Sequence, residues 1–122
     1  MKSDITQPAD IRKLVDTFYA KVQEDRLLGP VFNDFAKVDW AEHLPTMYSF
    51  WENILLGTAR YSGRPFPKHA PLPISGQHFV QWINLFEATV DENFNGQKAD
   101  EAKGRARAIA LVFMGKLNLL QA

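Results

Sequence analysis

Apolar residues recur at helical spacing along almost the whole chain, and this recurrence limits the fold more than any other feature. From about Pro8 to Glu24, Ile11, Leu14, Val15, Phe18 and Val22 form one stripe, with Tyr19 at its edge. "LGPVFNDF" reads as a turn followed by a short helix ending near Phe35. Asp39 to Glu42 has capping-box spacing, an acidic N-cap with Glu three residues on, so a helix should start there. Pro45 should kink that helix or force a fresh start near residue 44. Met47, Phe50, Trp51, Ile54 and Leu55 continue an apolar face to Gly57, which suits a C′ position. Two further helices are expected, Gln77 to Asn95 and Lys98 to Leu120. Phe79, Trp82, Ile83, Phe86 and Val90 share a face of the first, and Ala102, Ala106, Ile109, Phe113, Leu117 and Leu120 line the second. No segment alternates convincingly with period two. The pattern predicts one all-α domain over residues 1–122, with four substantial helices and one or two short ones.

The exception runs from Thr58 to Ser75, where periodicity fades. "GRPFPKHAPLP" sets His69 among Pro65, Pro67, Pro71 and Pro73, and proline excludes regular helix or inner strand there. A connection this long in a compact domain is usually functional. Prolines reduce the freedom of an unliganded loop, so less entropy is lost when it binds. His69 is therefore either a loop histidine at the surface or an imidazole held at a fixed angle for a metal.

Composition narrows the choice. Lys plus Arg numbers 14 and Asp plus Glu 14, which argues against binding driven by nucleic-acid phosphates. With no cysteine there is no disulfide, thiol nucleophile, zinc–thiolate site or covalent haem attachment through C-x-x-C-H. No apolar run reaches membrane-spanning length, and "MKSDITQPAD" lacks a signal peptide's apolar stretch, so a cytoplasmic protein is expected. Gly-rich phosphate loops, G-x-S-x-G and H-E-x-x-H are missing, and nothing supports a hydrolase. "DENFNG" at 91–96 begins like an EF-hand loop, but position twelve is Ala102, so a polar helix–helix turn is expected.

Three tryptophans, three tyrosines and nine phenylalanines are many for a simple bundle. They either fill a core or line a slot for a flat apolar ligand. His78 falls in the first turn of its helix, at the surface or half-buried. His43 projects from the edge of an apolar face, as a structural residue or as a polar group at the mouth of the slot. Tyr19 would carry a hydroxyl into it. One imidazole, His69, beside an aromatic slot specifies haem better than zinc, because structural zinc wants four protein ligands.

At this point the chain resembles the truncated haemoglobins, and their third group in particular. The resemblance rests on "FYAKVQEDRLLGPVFND" at 18–34, "WAEHLPTMYSFWENILLG" at 40–57, "YSGRPFPKHAPLPIS" at 61–75 and "HFVQWINLFEATVDENFNG" at 78–96, in that order over nearly the whole chain. Paired-glycine signals common in groups one and two are lacking. The resemblance implies a shortened globin, a two-over-two helical sandwich around haem b. It makes His69 the proximal ligand to iron, Tyr19 and Trp82 distal donors, and His43 a distal histidine that gates the pocket or ligates iron itself. Phe32, Met47, Phe50 and Trp51 would pack on the haem, and Tyr61 and Lys68 would contact its propionates.

The implied function is binding of O2, NO, CO or peroxide at the haem iron. Two donors to the bound ligand suit redox chemistry, such as NO dioxygenase or peroxidase-like activity fed by a reductase, better than simple carriage. The alternatives are gas sensing or ligand storage without turnover, and a helical interaction module without haem. A monomer without nucleic-acid or membrane partners is expected.

Overall fold

The structure, a computed structural model, describes residues 2–35, 37–57 and 75–116, so Tyr61, Lys68, His69 and the end of the last predicted helix lie outside the described residues. The elements are α1 (Pro8–Glu24), a π-helical turn (Val31–Phe35), α2 (Trp40–Leu55), α3 (Gly76–Asn93) and α4 (Gln97–Lys116), and no strand occurs among the described residues.

α1 starts where the sequence places it. Pro8 stands in the first turn, where its missing N–H costs nothing, and the Asp10 carboxylate accepts from Thr6 N at 2.9 Å. Ile11, Leu14, Val15, Phe18 and Val22 are at most 1% exposed. Each such side chain stabilises the fold by about 1.5–3 kcal/mol. Asp25 ends the helix in extended backbone and accepts from Leu27 N at 3.0 Å and Leu28 N at 2.9 Å, which folds the chain back. Gly29 is required in that turn, since a Cβ there would lie 2.7 Å from the carbonyl oxygen of Gln23.

The short helix that follows is wider than an α-helix. Its π register leaves Val31 buried and Phe32 half-buried. Such turns often mark functional sites.

α2 shows no fresh start at Pro45. The helix neither breaks nor restarts near residue 44 but runs unbroken from Trp40 to Leu55. Pro45 lies in its second turn and is exposed. The carbonyl that lacks its N–H partner belongs to Ala41, also exposed, where water can serve it. Asp39 caps the start by accepting from Ala41 N at 3.1 Å. Gly57, with φ +66°, closes the end, and its N–H donates to the Glu52 carbonyl at 2.8 Å.

α3 and α4 form the second layer. Phe86 and Val90 are fully buried on α3, and Thr89, equally buried, donates its hydroxyl to the Leu85 carbonyl at 2.7 Å. On α4, Ala99, Ala102, Ala106 and Ala110 are at most 2% exposed, so small side chains let it pack closely on its neighbours. Asp4 secures the start of α4 by accepting from Lys98 N at 2.9 Å and Ala99 N at 2.8 Å. α1 packs on α2 and α3, α3 packs on α4, and α2 touches α4. This is a two-over-two arrangement of helices. No helix among the described residues is long and apolar enough to cross a membrane.

Asp91 to Gly96 forms the end of α3 and the turn into α4. The Asp91 carboxylate meets Lys103 Nζ at 2.8 Å, and no group of three or more potential metal ligands occurs among the described residues.

Candidate functional site

A cavity of about 110 Å³ opens between the layers. Seven residues singled out in the sequence meet on its wall: Tyr19 from α1, Phe32 from the π turn, His43, Met47, Phe50 and Trp51 from α2, and Trp82 from α3. Each comes from the inward face of its element. Helical spacing brings His43, Met47, Phe50 and Trp51 along one side of α2, as i, i+4, i+7 and i+8 residues must lie.

Tyr19 is 5% exposed, and its ring is fenced by Phe18 at 4.8 Å, His43 at 5.2 Å, Trp40 at 5.5 Å and Phe32 at 6.1 Å between centroids. No described residue hydrogen-bonds its hydroxyl. Burial pushes the pKa of that hydroxyl well above the ordinary tyrosine value, because the phenolate would have to form without water. Tyr19 is therefore a neutral O–H donor across the physiological range.

Trp82 belongs to a stack of flat rings. Phe86 lies parallel between Trp82, at 5.7 Å and 14°, and Trp51, at 4.8 Å and 22°. Phe18 meets Trp82 edge-on at 5.6 Å. The stack stiffens the α2 and α3 walls on either side of the cavity. Gln81, next to Trp82, donates to the Asp25 carboxylate at 2.7 Å, tying that wall to the end of α1.

The cavity also takes residues that the sequence placed elsewhere or did not single out. Phe79, Ile109 and Phe113 line it, although their spacing was equally that of packed core. The helical period tells which face is inward, not whether the inward face meets a side chain or a space. Leu28 and Val31 join because the Asp25 turn and the π register direct them inward. His78 is half-buried, as expected, but also lines the cavity. Its Nδ1 lies 2.9 Å from Ser75 N and 3.0 Å from the Ser75 hydroxyl oxygen, which ties the ring to the start of α3.

Sequence comparison agrees with this geometry. The signature of the family described as "Bacterial-like globin" matches residues 4–111. The chain is 36% identical over 121 residues to "Group 3 truncated hemoglobin ctb" of Campylobacter jejuni subsp. jejuni, covering 96% of this chain and 95% of that protein. It also superposes on the crystal structure of a group III truncated hemoglobin from Campylobacter jejuni with a TM-score of 0.86, at 36% identity and covering 96% and 95% of the two chains. Globins work by haem-based binding of small gaseous ligands such as O2. On its sequence, its helical sandwich and its cavity, the chain belongs to the bacterial-like globin family and is similar throughout to the group III truncated haemoglobins.

Proposed function

We propose that the chain is a haem b protein with His69 as the axial ligand, which holds a diatomic ligand between the donors Tyr19 and Trp82 and supports redox chemistry on O2, NO or peroxide. The observation that carries this reading is the Tyr19 hydroxyl, buried on the cavity wall with no acceptor among the described residues. The residues present fit haem. Phe32, Met47, Phe50, Trp51 and Phe113 offer the apolar contact a macrocycle needs, and polar groups are few. Bound there, haem would supply an iron for ligand binding and one-electron chemistry.

The chain's own residues do the rest. Tyr19 and Trp82 present O–H and N–H donors where negative charge develops on the ligand. A hydrogen bond to a charged group contributes about 1.5–3 kcal/mol, so each donor slows ligand escape by roughly tenfold to a hundredfold. His43 touches the Tyr19 ring and stands where it can gate access. Tyr61 and Lys68 would hold the propionates. Strong retention suits turnover of the held ligand better than delivery of it.

The test is steady-state consumption of nitric oxide by the oxygenated protein with a reductase. In this reaction NO, O2 and one electron combine to nitrate. Consumption of many equivalents per chain is expected. A single equivalent followed by arrest would favour storage or sensing.

A further inference from the structure

Trp40 opens α2 and stands outside the cavity wall, yet its indole meets the rings of three residues that form that wall. Its ring centroid lies 5.5 Å from Tyr19, 5.6 Å from His43, and 6.0 Å from Phe32, on which it stacks at 25°. The indole is also latched at its polar edge. Nε1 donates to Asn33 Oδ1 at 3.4 Å, and Asn33 Nδ2 donates to the Gln23 carbonyl at 3.3 Å. One side chain thus joins the C-terminal half of α1, the π turn and the first turn of α2. Those three segments carry Tyr19, Phe32 and His43.

The physical consequence concerns aim. A donor stabilises its target only if its direction is set before the ligand arrives. A tyrosine hydroxyl is aimed by two side-chain torsions, and packing against the ring is what fixes them. Trp40 supplies one side of that packing for Tyr19 and one side for His43, whose two rings meet edge to face at 5.2 Å. Pro45 removes one backbone hydrogen bond from the start of α2, so side-chain contacts carry more of the burden of holding its first turn.

We propose that Trp40 is a positioning residue for the distal donors, fixing the Tyr19 hydroxyl and the His43 imidazole relative to bound ligand. The proposal rests on the haem-ligand reading above. Trp40 touches no ligand itself and acts through the two rings it buttresses. It follows that a ring is needed at position 40, while the Asn33 latch is secondary.

The test uses the haem-loaded chain and its carbon monoxide adduct, in which the C–O stretching band reports the direction of nearby donors. Trp40→Leu should shift or split the native band and speed dioxygen release by about threefold to tenfold, the range expected for coupled neighbours. Trp40→Phe, which keeps a ring, should restore the native band and a release rate within about twofold of native. In a Tyr19→Phe background, Trp40→Leu should add little, because the donor it positions is gone. Should Trp40→Leu not fold, Trp40→Met, similar in bulk and lacking a ring, carries the same expectations. An unchanged band and release rate in the ringless variant, or effects that simply add to those of Tyr19→Phe, would overturn the proposal. A native chain that takes up no haem would overturn the haem reading and this proposal together. A native chain that binds haem and CO, with Trp40→Leu indistinguishable from it, would overturn this proposal alone.

Discussion

Tyr19 is almost wholly buried, yet its hydroxyl meets the cavity wall and no described residue accepts its hydrogen bond. A bound ligand that carries negative charge and accepts that hydrogen bond gains about 1.5–3 kcal/mol. Tyr19→Phe should therefore speed dioxygen release by about tenfold or more, measured by rapid mixing, and a change below about threefold would remove Tyr19 as a donor. The same burial predicts a pH effect. Its folded pKa is raised by loss of solvent, so below the ordinary tyrosine value near 10 both folded and unfolded chains hold the proton. Above that value the unfolded chain releases it while the fold retains it, and stability falls as pH rises toward the folded pKa. In alkaline unfolding followed by circular dichroism, Tyr19→Phe should lose less stability between neutral and alkaline pH than the native chain. Tyr19 was legible in the sequence as a hydroxyl beside an apolar stripe. Trp40 was visible only as one aromatic among many, because its three ring partners are brought together by tertiary packing.

At the scale of elements, α1 could be read because its determinants are local: a proline in the first turn, an acidic residue at the third position and a stripe at i, i+3, i+4 and i+7. The π register of Val31–Phe35 was not legible, since it depends on which carbonyl each N–H finds and not on composition. The fresh start expected at Pro45 does not occur, for a related reason. Its penalty depends on whether the orphaned carbonyl meets water, and exposure is not written in the sequence. The cap on α4 was also hidden, because Asp4 reaches it from more than ninety residues away in sequence. Burial alone would raise the Asp4 pKa, but the N–H groups of Lys98, Ala99 and Ile5 outweigh it and hold the carboxyl below its usual value. Its contribution is thus present above the unfolded value and is lost as pH falls through the folded one. Asp4→Ala should lower stability by about 1 kcal/mol at neutral pH, as loss of a cap does, and the deficit should shrink in acid. Thermal melts at neutral and acid pH check this, and an equal deficit at both would contradict it.

Over the whole molecule, four apolar stripes fixed the helical class, and the order of motifs pointed to a shortened globin. The two-over-two packing of α1–α4 bears both out, and so does the match in sequence and structure to a group III truncated haemoglobin. Where the cavity would open was less legible. Core and cavity use the same period, so Phe79 and Phe113 could not be told from packed core by spacing. His69, within the proline-fenced segment, lies outside the described residues and remains the residue on which the proposed chemistry turns. Resonance Raman spectra of the ferrous, ligand-free protein test this most directly. The account predicts an iron–imidazole stretching band in the native chain, its loss in His69→Gly and its return when free imidazole is added. The same band, unchanged in His69→Gly without added imidazole, would contradict it.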